Sequence, residues 1–196
     1  MNGLTQFAHT GGMNMYIVLV LIGILVLIVV WIIGVQRQLV QLDEMVTNAM
    51  SQIGVQVTSR FDALTGLLDL VKGYNEHEYK SLTDIIKMRS SIGASSTASD
   101  VNKEEGIFNQ ALGKVIAVAE QYPDLKSNTN YQNLMNSLNE YEDKVRKARL
   151  VYNDTVTKLN RTIRMFPTNI VAPMLGITQR EYLATDEAKQ AMPSMK

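Results

Sequence analysis

Residues 15–35 read MYIVLVLIGILVLIVVWIIGV, a stretch with no charged side chain that consists mainly of Ile, Leu and Val. At about 1.5 Å of rise per residue, a helix of this length crosses about 30 Å, the thickness of the hydrocarbon core of a bilayer. Tyr16 and Trp31 lie near its two ends, where amphipathic rings prefer the headgroups. The stretch therefore predicts a transmembrane helix over residues 15–36, behind a short N-terminal tail at residues 1–14.

Two other interpretations of this stretch are weaker. A core helix or buried strand of a soluble protein rarely has more than about 14 apolar residues in a row. A cleaved signal peptide has a positively charged start, a shorter apolar core and small residues at its cleavage site. Here no Lys or Arg precedes the apolar run, and GVQR at residues 34–37 is a poor cleavage site. We expect the helix to stay in the lipid bilayer as a single-pass anchor.

The distribution of charge predicts the orientation and excludes several functions. Arg37 is the first Lys or Arg of the chain, so the positive-inside rule places the N-terminus outside and the bulk of the chain in the cytoplasm. The 19 basic residues balance the 19 acidic ones, so no nucleic-acid partner is indicated. The chain has no Cys and two His, which argues against metal sites and cofactors.

Beyond the anchor, apolar residues recur every three or four positions, as in amphipathic helices. The first stripe covers residues 39–71, and Gly73 is a candidate break. A Ser- and Gly-rich connection follows at residues 90–102, and a second helix is expected over about residues 103–121, before Pro123.

The third stripe is the cleanest of the chain. Asn128 or Asn130 is a suitable N-cap, and the apolar spacing continues to Phe166, where Pro167 stops it. Residues 169–183 are apolar enough to dock on the bundle as a short helix or helical turn.

Three stripes of this kind cannot bury themselves alone. They predict an all-α protein with a single N-terminal transmembrane helix followed by an antiparallel bundle of three or four long helices, with coiled-coil-like packing. The bundle is expected over residues 37–185, and a flexible tail over residues 186–196.

The chain resembles the LemA family of bacterial membrane proteins. The likeness covers nearly the whole chain in the same order and is carried by SQIGVQV at 51–57, LVKGY at 70–74, AVAEQYPDLK at 117–126, ARLVYND at 148–154 and FPTN at 166–169. Met50 departs from the usual Trp, Gly54 from a usual Asp, and Thr65-Gly66 from a usual Pro-Asn pair. The last of these changes removes an expected helix irregularity, so the first helix is expected to be straighter than in relatives. The resemblance implies a membrane-tethered helical bundle, and it implies no reaction.

Polar residues on one side of the third helix form the main candidate site. Glu142, Arg149, Asn153 and Asn160 follow one another at spacings of seven, four and seven, with Arg60 or Asp62 as partners across an interface. Polar groups in this position commonly pair with a neighbouring helix and fix its register, and they must be satisfied if they are buried. A ligand or partner groove is the alternative interpretation of the same residues.

Three other groups have simple structural explanations. His77 and Glu78 suggest a zinc helix, but position 81 is Ser where a second His is required, so His77 is expected to cap or pack at the end of the first helical stretch. Tyrosines at helical spacing are usually core residues with the hydroxyl at the rim (Tyr122, Tyr131, Tyr141, Tyr152). Scattered methionines can form an adaptable binding surface (Met165, Met174, Met192, Met195).

These observations favour a non-enzymatic scaffold or interaction module at the bacterial cell membrane, which self-associates into a homo-oligomer or docks other envelope proteins. The alternatives are an adaptor to a membrane protease, or a membrane-bound enzyme with a site between helices. A transporter or channel component is a third class, which a single apolar span without a polar face makes less suitable.

Overall fold

The computed structural model describes the backbone of residues 4–184 and the side chains of residues 15–184, so the predicted tail at 186–196 lies outside the described residues. Within them the chain forms helices and no strand, which confirms the predicted all-α fold. The elements are α1 (Leu4–Lys72), α2 (Glu76–Lys87), α3 (Ala98–Gln121), α4 (Pro123–Ser127), α5 (Thr129–Arg164) and α6 (Thr168–Met174).

The first helix, α1, joins the membrane span to the bundle without a break. It contains 69 residues, continues through Thr65 and Gly66, and ends at Lys72 just before the predicted break at Gly73. It is long and apolar enough to cross a membrane, and the side chains of its apolar window are exposed. Residues 4–14, which were assigned to the N-terminal tail, belong to the same helix.

The part of α1 that follows the apolar span and the whole of α5 form the core of an antiparallel bundle. Arg60 of α1 pairs with Glu142 of α5, and Gly66 of α1 lies against Leu134, so position rises along α1 while it falls along α5. The predicted stripe of α1 is buried at Leu39, Val46, Ala49, Ile53, Val57, Phe61, Leu64, Leu68 and Val71. On α5 the buried apolar residues are Tyr131, Leu138, Val145, Tyr152, Val156 and Leu159.

The second bundle helix starts earlier than the predicted position 103. Thr97 and Asp100 form a capping box, in which each side chain bonds the backbone N–H of the other, so α3 begins at Ala98. The connection before it is docked on α1, because a Cβ added to Gly54 would lie 2.0 Å from the carbonyl oxygen of Ile92. Only a glycine permits this close approach of the two backbones.

The C-terminal part of the bundle was predicted only in outline. Asn128 caps α5, as one of the two expected N-caps, and α5 ends at Arg164. After it, α6 covers only the first part of residues 169–183, and Gly176, with a φ of 69°, then turns the chain into a non-helical segment at residues 177–184.

Candidate functional site

Four charged side chains meet where α1, α3 and α5 face one another, and we call them the charged cluster (Arg60, Glu105, Glu142, Arg149). The side chain of Arg60 is fully buried and lies 2.8 Å from Glu105 Oε2 and 2.6 Å from Glu142 Oε2. Its guanidinium carbon also lies 3.9 Å from the centre of the Phe108 ring, a cation–π contact. Arg149 reaches Glu105 at 3.6 Å. Two positive and two negative charges therefore balance one another where the three helices meet, around the buried Arg60.

The electrostatics of the charged cluster hold Glu105 in its ionised form. Burial by itself raises the pKa of Glu105, but the hydrogen bond and the charge of Arg60 outweigh it, and Arg149 and Asn109 act in the same direction. The pKa of Glu105 consequently lies below its ordinary value. A buried ion pair of this kind is weak evidence for stability, yet removal of one partner leaves a costly unpaired charge.

In the second half of the polar side of α5, the side chains bond backbone groups of a C-terminal segment instead of charged side chains. The amide of Asn160 accepts from the N–H of Arg180 and donates to its carbonyl, both at 2.9 Å. Asn153 makes the same pair of bonds with Leu183, at 2.9 and 3.0 Å. We call this arrangement the amide clamp, formed by Asn153 and Asn160 on residues 180–183.

The spacing of the amide clamp fits a helix to an extended chain. Asn153 and Asn160 are separated by seven residues, which is about 10.5 Å along a helix. Arg180 and Leu183 are separated by three residues, which is about 10 Å along an extended strand. The two rises match, so both amides bond the same segment without strain.

Further contacts reinforce the clamped segment. The Tyr152 hydroxyl donates to the Glu181 carbonyl at 3.1 Å, and Arg149 donates to the carbonyl of Ala184. Arg180 forms an ion pair with Asp43 of α1 at 2.9 Å, and Leu183 is buried. The segment thus ties α5 to α1, and Arg149 connects the charged cluster to Ala184, directly after the residues that the amide clamp holds.

The structure corrects several predicted roles. Asn153 and Asn160 pair with a non-helical segment, and the expectation of a helix–helix contact is wrong for both. Of the two proposed partners on α1, Arg60 lies across the interface, whereas Asp62 is exposed and lies 3.8 Å from Arg89. His77 is exposed in the first turn of α2, and Asn75 is the residue that caps this helix.

Two functional side chains on α3 were missed from the sequence. Glu105 completes the charged cluster, and the neighbouring Glu104 is buried and accepts a 2.7 Å hydrogen bond from the backbone of Ser90. The signal was present, because Glu104 lies one turn before Phe108 on the buried stripe of α3. Both residues lie in the first turn of the helix predicted over residues 103–121, but the sequence does not show which elements face this turn.

The comparison with protein families matches the LemA family over residues 49–196. The chain belongs to the LemA family. Both halves of the polar side, the charged cluster and the amide clamp, lie within the matched region, so they are features of its LemA portion. The resemblance read from the sequence is thereby confirmed.

Individual relatives are similar over different lengths. The LemA protein of Metamycoplasma hominis is 27% identical over 150 residues, which are 74% of this chain and 67% of that protein. Magnetosome protein MamQ 2 of Paramagnetospirillum magneticum is 38% identical over 78 residues, 40% of this chain and 29% of that protein. MamQ of Magnetospirillum gryphiswaldense is 33% identical over the same length. The chain thus matches less than a third of the MamQ proteins, and none of these names states a reaction.

A groove beside the amide clamp carries basic and apolar side chains. Within residues 15–184, no three His, Asp or Glu side chains come together as a metal site. An open groove of about 400 Å³ lies beside the amide clamp, lined by Thr157, Asn160, Arg161, Arg164, Met165 and Tyr182. It contains two arginines and no carboxylate, so it offers positive charge and apolar surface rather than an acid–base pair.

Proposed function

We propose that this LemA-family protein is a non-enzymatic scaffold that holds a helical bundle at a fixed distance and angle from the bacterial membrane and presents it to other copies or to envelope proteins. The observation that carries the proposal is the continuity of α1, which runs from Leu4 to Lys72 as one helix and contributes both the membrane span and the bundle core. A flexible tether would require a linker at the membrane exit. Here the residues at this exit are helical on both sides.

The polar side of α5 supports a structural role. In the charged cluster the carboxylates of Glu105 and Glu142 are engaged by Arg60, and in the amide clamp both side chains spend their hydrogen bonds on the chain's own backbone. Catalytic groups need to remain free to exchange protons or to contact substrate. These groups instead hold α1, α3, α5 and the C-terminal segment together.

The outer surface of the bundle offers places for a partner. Leu150 and Val151 of α5 are adjacent and about half exposed, and Val55 of α1 is 61% exposed. Exposed apolar side chains can belong to an interaction surface when several lie together. We therefore expect contacts with a partner at Leu150 and Val151 rather than at the polar positions of the same helix.

Photocrosslinking in native membranes tests the scaffold proposal. A photoreactive residue at position 150 should give discrete adducts, either with a second copy or with another envelope protein, while the same residue at the exposed position 140 serves as the control. Light scattering of the detergent-solubilised chain should show an oligomer or a stable complex. A monomer in detergent that forms no adduct from position 150 in the cell would contradict the proposal.

The orientation is a separate part of the proposal. Arg37, immediately after the span, and the absence of Lys or Arg before it support an N-terminus outside and a bundle in the cytoplasm. A reporter that is active only in the cytoplasm, fused after Lys196, should be active. Labelling of the bundle by a membrane-impermeant reagent in intact cells would show the opposite orientation, and it would not affect the scaffold proposal.

A further inference from the structure

The short helix α6 lies at the level where α1 leaves the membrane. Val171 and Ala172 of α6 form one buried apolar cluster with Val35 and Leu39 of α1. Val35 is the last residue of the apolar run, and the run is about as long as the hydrocarbon core is thick. Leu39 lies four residues further, which is about 6 Å along the helix and therefore within the headgroup layer.

The end of α5 and the helix α6 form a corner, and the side of this corner that faces away from α1 is strongly apolar. Phe166 is 79% exposed and Met174 is 81% exposed, more than any large apolar side chain of the membrane span itself. Met165 and Ile170 are also more than half exposed. Ile170 and Met174 are four residues apart, so they project from the same face of α6, opposite the residues that pack on α1. Water is a poor environment for such a group of side chains.

The charged side chains at the end of α5 and on α6 are all basic, and the nearby Asp43 of α1 is paired with Arg180. Arg161 and Arg164 occupy the last turn of α5, are exposed, and form no ion pair with any described residue. The sequence has no Asp or Glu between Asp154 and Glu181. Positive charge beside large apolar side chains is the composition of segments that lie in the interface of an anionic membrane.

We propose that the corner formed by the end of α5 and by α6 is a second membrane contact, in which Phe166, Ile170 and Met174 enter the bilayer interface and Arg161 and Arg164 bind anionic lipid headgroups. The inference rests on the anchor in α1, since that helix brings the corner to the bilayer. The second contact restrains the rotation of the bundle about the axis of α1, because a single transmembrane helix can rotate about its own axis. The zero net charge of the whole chain does not oppose this local attraction.

Fluorescence quenching by brominated phospholipids tests this contact in the full chain, reconstituted in nanodiscs. Trp31 is the single tryptophan and lies four residues before Val35, so it reports the anchor at a similar depth. Trp31→Phe with Phe166→Trp moves the indole to the corner, and Trp31→Phe with Met88→Trp is the matched control at a site that is 63% exposed. Met88 adjoins Arg89, which contacts Asp62 about 40 Å along α1 from the end of the span.

The proposal expects a blue-shifted indole at position 166 that brominated lipid quenches about as strongly as Trp31, and an unquenched indole at position 88. An indole at 166 that emits as in water contradicts it. A blue-shifted indole that brominated lipid does not quench also overturns it, and identifies a protein surface or a second copy as the occupant. If brominated lipid does not quench Trp31 in the unmodified chain, the membrane anchor itself is contradicted.

A change of lipid composition tests whether Arg161 and Arg164 bind anionic headgroups. Arg161→Gln with Arg164→Gln should weaken quenching at position 166 in nanodiscs that contain phosphatidylglycerol, and should leave it unchanged in phosphatidylcholine alone. Equal quenching with and without the two arginines in anionic lipid would overturn the role of the charges.

Discussion

The two halves of the polar side of α5 solve different problems with different chemistry. The charged cluster joins three helices through long side chains, and Arg60 is buried while Glu142 remains 38% exposed. The amide clamp joins a helix to a non-helical segment through short neutral side chains at distances of 2.9 to 3.0 Å.

This difference teaches where specificity comes from in the bundle. The charged cluster depends on side chains of opposite sign and therefore on the identity of residues on α1 and α3. The amide clamp bonds only backbone groups, so it depends on spacing and not on which residues stand at positions 180 and 183. The first half fixes the register of helices, and the second holds a segment that cannot satisfy its own backbone.

The largest expected effect is the removal of the central charge. Arg60→Met leaves Glu105 and Glu142 without their partner and should destabilise the chain by about 3 to 5 kcal/mol, because breaking a buried pair leaves an uncompensated charge. Chemical denaturation in detergent, followed by circular dichroism, measures the change. Arg146→Met, which removes an exposed pair with Asp143, should change stability by less than about 0.5 kcal/mol. Equal changes in the free energy of unfolding of the two variants would contradict a stabilising role of the charged cluster.

A change in backbone packing should loosen the charged half alone. Gly54→Ala places a Cβ against the Ile92 carbonyl, so the connection before α3 must shift, at a cost of about 1 to 3 kcal/mol. Gly106→Ala is the control, since nothing lies within 4 Å of its Cβ and the helix should gain up to about 1 kcal/mol. Amide exchange should increase along α3, while the Arg180 and Leu183 amides stay protected. Exchange that rises equally at both halves would show that they are one cooperative unit.

Breaking the amide clamp should release a segment without unfolding the helices. Asn160→Ala leaves the backbone of Arg180 without its partners, a loss of about 1 to 3 kcal/mol, which corresponds to a roughly 5- to 150-fold increase in exchange of that amide. Hydrogen exchange with mass spectrometry measures it. Thr157→Ala, at an exposed position between the two asparagines, should leave the exchange unchanged. Unchanged protection of the Arg180 amide in the Asn160 variant would contradict the role of Asn160 in holding this segment.

The smallest expected effect is the response of the two halves to pH. The lowered pKa of Glu105 stabilises the fold above about pH 4.3, the unfolded value, and this contribution disappears as the pH falls through the folded value. Burial raises the pKa of Tyr152, which lies beside the amide clamp; the charge of Arg180 opposes this shift, and the charge of Glu181 adds to it. The contribution of Tyr152 to stability is therefore present below about pH 10 and is lost as the pH rises through the folded value.

Melting temperature against pH separates these two responses. Glu105→Gln should flatten the acid side of the profile, and Tyr152→Phe should flatten the alkaline side. An acid limb that persists in the Glu105 variant would assign it to other carboxyl groups.

The polar side of α5 and one of its partners, Arg60, could be found from the sequence, but its other partners could not. Glu142, Arg149, Asn153 and Asn160 stand on one helical side by spacing alone. Asn153 and Asn160 were expected to meet a helix, because nothing in residues 177–184 shows that they leave the helical conformation and run along α5. Glu105 lies inside the helix predicted over residues 103–121, but it was missed because the sequence does not show that Arg60 of α1 and Arg149 of α5 face it.

The amino-acid sequence by itself determined the anchor, the helical stripes and the family, because these depend on local hydrophobicity and periodicity. Tertiary structure decided which charges meet, which backbone the amides bind, and how α6 is brought beside the membrane exit of α1. Such contacts join residues that are far apart in the chain, as Arg180 and Asp43 are. Their formation depends on helix ends and on the register between helices, and a shift of one residue at a helix start rotates its side chains by about 100°.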